Sequence, residues 1–213
     1  MEPIRLTDDL VELSMPTADD VDAITALCQD PDVQEWTTVP SPYTRSDAEA
    51  FVVTWVAQGW STGQDCSWGI RTAGELVGMI GLRLQPAASA EIGYWLGPLA
   101  RGRGLPRRSL MLVLEHAFSP DGLALDRVEW HCTAGNWASW RAAWRVGFTF
   151  EGAVRGGALG RGHREDDWVG TLLRDDPREP RTPWPATAVA SPRPGTSDPR
   201  RPAPSPVEPR GPR

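Results

Sequence analysis

The stretch Arg101-Gly102-Arg103-Gly104-Leu105-Pro106 decides the fold that we predict for this chain. Residues 91–96 before it have the pattern of a strand, and residues 107–118 after it carry apolar side chains at helical spacing. Glycines let a backbone turn and bring its N–H groups close to an anion, and the start of a helix adds unpaired donors. The two arginines add fixed positive charge. The pattern predicts a phosphate-binding turn between a strand and a helix, although such a turn is a weak signal by itself.

A second pattern further along the chain strengthens the first. Asn136-Trp137-Ala138-Ser139 opens an amphipathic run that ends at Gly147-Phe148. Strand, glycine and arginine turn, helix, strand and N-x-x-S helix in this order resemble the acyl-CoA-binding core of the GNAT superfamily of N-acyltransferases. The opening of the chain, from Asp30-Pro31-Asp32-Val33 to Asp47-Ala48, is similar to the branch typified by ribosomal-protein N-terminal acetyltransferases. The resemblance covers roughly residues 4–174.

The resemblance implies where coenzyme A binds. The family's Q/R-x-x-G-x-G/A loop holds the pyrophosphate, and Arg101, Gly102, Arg103 and Gly104 match it, with Leu105 directly after them. Pro106 departs from the usual glycine or alanine and removes one N–H donor, which leaves the coenzyme A affinity open.

The family's strand before this loop splays from its neighbour at a bulge, and its backbone pairs with the pantetheine arm. This role falls on Trp95 and Leu96, and Asn136 is the implied contact from the second pattern. An ordinary strand end is the alternative for residues 95 and 96. No metal ligands are expected.

Acyl transfer from a thioester to an amine needs a base for the amine and a group that serves the departing thiolate. The resemblance makes Glu91 the first candidate base, with a surface carboxylate as the alternative. His131, on the strand predicted over residues 127–133, is the second candidate, although a lone histidine in a strand is more often structural. Ser139 is the candidate for the thiolate; Asn136 and Ser139 could instead only cap the helix.

Two groups of tryptophans invite opposite interpretations. Trp36 lies in the segment that walls the acceptor site in similar proteins, or it anchors a surface loop. Trp137, Trp140 and Trp144 share one face of the predicted helix, which indicates core packing.

Composition limits the partners. The formal net charge is −6 and all 22 basic residues are arginine, so nucleic acid is not expected as a partner. The three cysteines have no paired or metal-ligand spacing, no apolar run is long enough to span a membrane, and the first residues lack a signal-peptide pattern. We therefore expect a cytoplasmic protein with no membrane partner. The sequence leaves the oligomeric state open, including a homodimer.

The predicted fold class is α/β: a GNAT-like mixed, mostly antiparallel central sheet flanked by helices, over residues 1–174. From 177 onward the chain is rich in proline and arginine, so we predict a disordered tail over residues 175–213. The predicted function is acetyl-CoA-dependent transfer of an acyl group to a primary amine, with a protein N-terminus or basic peptide first and a small-molecule amine second. A non-catalytic acyl-CoA-binding regulatory protein is the alternative.

Overall fold

The computed structural model describes residues 1–160 and 162–185. One compact unit runs from Met1 to Pro183, and of the second, Trp184–Arg213, only residues 184 and 185 are described. Residues 186–213, the greater part of the predicted disordered tail, lie outside the described residues. Within the described part of the chain, no helix is both long and apolar enough to cross a membrane.

Eight strands form one sheet in the order β1-β2-β3-β4-β5-β6-β8-β7. Only the β5–β6 pair is parallel, and the remaining neighbours are antiparallel. The strands are β1 Leu6–Thr7, β2 Glu12–Ser14, β3 Asp65–Thr72, β4 Glu75–Gln85, β5 Ser89–Leu96, β6 Arg127–Thr133, β7 Thr149–Gly160 and β8 His163–Leu173.

Among the described residues, six α-helices cover the two faces of this sheet: α1 Val21–Leu27, α2 Pro31–Trp36, α3 Arg45–Ala50, α4 Ala57–Thr62, α5 Leu105–Phe118 and α6 Trp137–Arg145. Their starts follow local side-chain chemistry. The Asp30 carboxylate accepts from the Val33 N–H before α2, and Thr44 and Asp47 form a capping box at α3. A π-helical segment, Phe51–Val56, joins α3 to α4.

Apolar side chains form two cores. The main core joins β2 to β6 with α5 and α6, and its largest buried side chains include Trp60, Trp68 and Trp130. The second core joins α1, α2 and α3 to β4 around Ile24, Val33 and Met79. Because the two cores lie on opposite faces of the sheet, alternate residues of β5 point to different cores.

The predicted fold class is confirmed. Most predicted elements are present, and β6 has the bounds that its apolar pattern predicts, residues 127–133. The local patterns predict the last two strands over residues 147–155 and 167–173, whereas β7 and β8 extend further into a long hairpin. β1 and α2 were not predicted. A helix is predicted from residue 47 to about residue 60, and there the π-helical segment interrupts the α-helical hydrogen bonding.

The first compact unit extends past the expected boundary at residue 174. The Arg178 guanidinium lies 4.4 Å from the ring centroid of buried Phe118 and donates to the Leu173 carbonyl over 3.1 Å. Trp144 donates from Nε1 to the Thr182 carbonyl over 2.9 Å. Arginine stacking and backbone acceptors thus hold residues 175–183, although these residues supply almost no apolar side chains.

Candidate active site

The sheet opens between its two parallel strands. Pairing of β5 with β6 begins at Ser89–Arg127 and ends at Ile92–Trp130. Beyond that point β5 continues to Leu96 on β4, and β6 continues to Thr133 on β8. The register of β5 on β4 is unbroken, so β5 has no bulge there, and the opening lies between two strands that each keep their other neighbour. Residues 93–96 and 131–133 therefore border a gap of unpaired backbone.

Backbone alternation decides which groups of β5 face this gap. The Gly97 N–H donates to the Val77 carbonyl over 2.9 Å, so Gly97 points toward β4. Neighbouring residues of a strand point their N–H and C=O groups to opposite edges, so Tyr94 and Leu96 face the gap. Trp95 faces β4 with its backbone and the second core with its ring. Leu96 thus has its backbone at the open edge, whereas Trp95 does not.

The predicted phosphate turn lies where β5 ends and α5 begins. Gly102 and Gly104 have φ values of +74° and +77°, and a Cβ on either would meet no atom within 4 Å. Glycine adopts this conformation readily, which explains why it stands at both positions. Both glycines are exposed, so the backbone amides of the turn are open to solvent. Leu105 is the first residue of α5, and Pro106 is the second. The missing N–H of Pro106 removes one of the four donors that a helix start leaves free.

The arginines around the turn differ in their contacts. Arg103 and Arg107 are exposed and make no hydrogen bond or ion pair with any described residue. Arg108 instead pairs with Asp8 and Asp9 at 2.7 and 2.6 Å. The guanidinium of Arg101 contacts Asp30, Asp32 at 2.7 Å, and the Leu96 carbonyl at 3.0 and 3.2 Å.

For Arg101 this differs from the expectation of a pyrophosphate contact, because four of its five N–H donors already bond to Asp30, Asp32 and the Leu96 carbonyl. Arg107, at the third position of α5, was not a sequence candidate, although its place in the first helical turn could have identified it.

Ser139 lies at the start of α6, close to the main-core side of the gap. Asn136 caps the helix as predicted: its Oδ1 accepts from the Ser139 N–H over 3.0 Å. The Ser139 Oγ accepts from Trp130 Nε1 over 3.0 Å and lies 3.3 Å from the Tyr94 hydroxyl. Tyr94 donates to the Ser139 carbonyl over 2.8 Å, and burial raises the pKa of its hydroxyl.

Tyr94 and Trp130 were not site candidates in the sequence. Strand alternation would have placed Tyr94 on the α6 side of β5, but nothing local indicated that α6 would bring Ser139 there.

Glu91 and His131 lie on the opposite face of the sheet. Glu91 stands beside Glu129 in the parallel pair, is partly exposed, and forms an ion pair with Arg83 at 4.0 Å. His131 contacts Asp167 at 2.7 Å through Nδ1 and Glu129 at 3.1 Å through Nε2. Burial alone would lower the pKa of His131, but the two carboxylates outweigh it and raise the pKa. Because a protonated imidazole cannot accept a proton, this arrangement favours Glu91 over His131 as base.

The structure therefore brings together two groups of predicted residues. Ser139 and Asn136 lie with Tyr94 on the α6 side, and Glu91 lies two residues before the gap on the other face. The turn from Gly102 to Leu105 lies at the far end of β5. An extended ligand in the gap would run from the turn toward the point where β5 and β6 meet. The arrangement suits a ligand that has phosphate at one end, near the turn. Its reactive group would lie at the other end, between Ser139 on one face of the sheet and Glu91 on the other.

Comparison with known proteins identifies this architecture. Residues 11–149 match the model of the acetyltransferase (GNAT) domain. The chain is 34% identical over 108 residues to a provisionally named ribosomal N-acetyltransferase of Bacillus subtilis (strain 168), covering 50% of this chain and 58% of that protein. It is 35% identical over 83 residues to the ribosomal-protein-serine acetyltransferase of Escherichia coli (strain K12), covering 38% and 45%. The chain thus spans about half the length of the curated relatives it matches.

Among solved structures, the fold is similar to that of RimL, a ribosomal L7/L12 α-N-protein acetyltransferase, in complex with coenzyme A. The TM-score is 0.73 at 23% identity, over 81% of this chain and 98% of that one. This likeness supports the fold, and the match over residues 11–149 covers more than half of the chain. The chain belongs to the GNAT family of acetyltransferases.

Proposed function

We propose that this protein is an acetyl-CoA-dependent N-acetyltransferase that acts on a primary amine. The observation that carries the proposal is the gap between β5 and β6, which ends at the glycine turn before α5. The unpaired groups of Tyr94 and Leu96 can pair with the amide groups of a pantetheine arm. The turn's amides, with Arg103 and Arg107, suit the phosphates at the other end.

Different residues around the gap can carry out different steps of a direct transfer of the acetyl group. Glu91 takes the proton of the amine, directly or through a water, before the nitrogen attacks the thioester carbonyl carbon. The N–H groups of β5 that face the gap polarise that carbonyl. As the new C–N bond forms and the C–S bond breaks, the Ser139 hydroxyl donates to the departing thiolate. Trp130 and Tyr94 hold Ser139 in place for this step.

The acceptor that we place first is a protein N-terminus or basic peptide, ahead of a small-molecule amine. The acidic net charge and the carboxylates of Glu91, Glu129 and Asp167 on the face opposite α6 favour a cationic acceptor. The curated relatives named for ribosomal-protein acetylation support the same choice. We further place the protein in the cytoplasm, because all three of its cysteines are free thiols.

The proposal is tested by incubating the protein with acetyl-CoA and separate amine probes. The probes are a peptide with a free N-terminal serine, the same peptide with a blocked N-terminus and one lysine, and spermidine. We expect mass spectrometry to show acetylation of the first peptide and coenzyme A release in equal amount. Binding of acetyl-CoA by calorimetry without transfer to any probe would instead support the regulatory alternative.

A further inference from the structure

The segment α2 lies across the mouth of the gap. Its beginning is tied to the end of β5, because Asp30 and Asp32 pair with Arg101 and Arg101 in turn donates to the Leu96 carbonyl. Its end approaches the loop after β6: a Cβ placed on Gly135 would lie 3.9 Å from Cη2 of Trp36. One short helix therefore connects the two strands that the gap separates.

The dimensions fit such a bridge. A helix of six residues is about 9 Å long at 1.5 Å per residue. Paired strands lie about 4.8 Å apart, so two strands that admit one extended ligand between them lie about twice that distance apart. The length of α2 is thus comparable to the width of the gap when it holds an extended ligand.

Arg101 has few donors left for any other partner. Its Nε and Nη2 donate to the Leu96 carbonyl, Nη2 also contacts Asp30, and Nη1 donates to Asp32. The Asp30 carboxylate is largely buried and also caps α2 through the Val33 N–H. Two carboxylates beside this guanidinium cancel its charge and would repel a phosphate. The unpaired cations of the turn are Arg103 and Arg107 among the described residues.

From these contacts we infer that Arg101 is a positioning residue that holds α2, and with it Trp36, as the wall of the acceptor channel, and that it is not a phosphate ligand. The inference rests on the proposed function, since it assigns the channel to the amine. It divides the R-G-R-G turn into two tasks. Arg101 organises the acceptor side of the gap, whereas Arg103 and the glycine amides serve the coenzyme A side.

Three arginine variants of the same turn provide a matched comparison. We expect Arg101→Gln to leave the Kd for coenzyme A within about twofold by calorimetry. Arg103→Gln and Arg107→Gln should raise that Kd by about tenfold, as expected for a lost charge-assisted contact. A loss of coenzyme A affinity in Arg101→Gln as large as in Arg103→Gln would overturn the inference.

The effect on α2 is read by amide hydrogen exchange over residues 30–37. Exchange should become faster in Arg101→Gln and in Asp30→Asn, where asparagine keeps the helix cap but loses the charge. The double variant should exchange no faster than either single variant, because both remove one contact. Unchanged exchange in Arg101→Gln would contradict the inference even if coenzyme A binding were normal.

A kinetic measurement distinguishes a specific effect of Arg101 on the acceptor channel from a general loss of structure. With the N-terminal serine peptide as probe, Arg101→Gln and Trp36→Ala should raise the peptide KM several-fold while kcat changes little. A fall in kcat with an unchanged peptide KM would overturn the assignment to the acceptor channel. If the unmodified protein does not acetylate the peptide, the proposed function fails for this probe. The hydrogen-exchange and coenzyme A measurements still decide the role of Arg101 in that case.

Discussion

The Tyr94 hydroxyl donates to the backbone carbonyl of Ser139 over 2.8 Å, and the Ser139 Oγ lies 3.3 Å from the same hydroxyl. This double contact ties the middle of β5 to the first turn of α6, although the two residues are 45 positions apart. It places the hydroxyl of Ser139 at the gap where β5 and β6 have separated.

Replacing Ser139 tests its role with the thiolate. We expect Ser139→Ala to lower kcat at least about tenfold with little change in acetyl-CoA affinity, because the contact matters only as the C–S bond breaks. The variant also leaves the buried Trp130 N–H without an acceptor, which costs about 1–3 kcal/mol of stability. Trp130→Phe in the same chain removes the unpaired N–H but leaves a cavity where the larger indole lay, so stability in urea denaturation should recover only in part and kcat should not recover. Recovery of kcat with stability would show that Ser139 is only structural.

The base is tested by the pH–rate profile of Glu91→Gln. The variant should lose about 10²–10⁴-fold in kcat at neutral pH, and the loss should shrink as pH rises, since the amine is then already neutral. Glu129→Gln is the matched control, because Glu129 stands beside Glu91 but is already engaged with Arg127 and His131. A wild-type rate at neutral pH for Glu91→Gln would exclude Glu91 as base.

The pair of carboxylates around His131 predicts a pH-dependent stability. Because the folded pKa of His131 is raised, its stabilising effect is complete below the unfolded pKa of about 6.5 and is lost as pH rises through the folded pKa. His131→Gln should therefore destabilise the protein more at pH 6 than at pH 9 in urea titrations. Asp167→Asn, which removes the shorter contact, should reduce the same pH dependence. An equal loss at both pH values would contradict the proposed charge state.

The glycine turn is tested by two valine variants with matched backbone strain. Gly104 and Gly74 have φ values of +77° and +84°, and both have open space around the missing Cβ. Each variant should lose about 1–3 kcal/mol of stability from the unfavourable φ. Only Gly104→Val should also weaken acetyl-CoA binding in calorimetry, because Gly74 lies in the turn between β3 and β4. Equal affinity in both variants would remove the turn from the binding site.

The end of the first compact unit is tested by two truncations. A chain ending at residue 176 loses the Arg178 contact with Phe118 and the Thr182 acceptor of Trp144, which a chain ending at residue 183 retains. We expect the shorter chain to be about 1–2 kcal/mol less stable, a fall in Tm of about 2–8 °C. Calorimetric scans of the two chains make the comparison. Identical Tm values would show that residues 177–183 contribute no stability.

The sequence by itself determined the elements that carry local signals. Glycines at 102 and 104, Asn136 as helix cap and the alternation of β5 each follow from backbone or side-chain preferences within a few residues. These preferences were sufficient for the turn and for the place of Ser139 in the first turn of α6. The helix α2 also had a local signal, Asp30 followed by Pro31 at the first helical position, which the sequence analysis did not use.

Only the tertiary structure decided which partner each charged or polar side chain takes. Arg101 meets Asp30 and Asp32, 71 and 69 residues away, and His131 meets Asp167, 36 residues away. The gap itself depends on β5 and β6 separating while each strand keeps its other neighbour. Local propensity cannot specify such contacts, because they arise when packing of the two cores brings distant segments together. For the same reason a motif arginine that resembles a phosphate ligand in sequence is bound to two carboxylates in the folded protein.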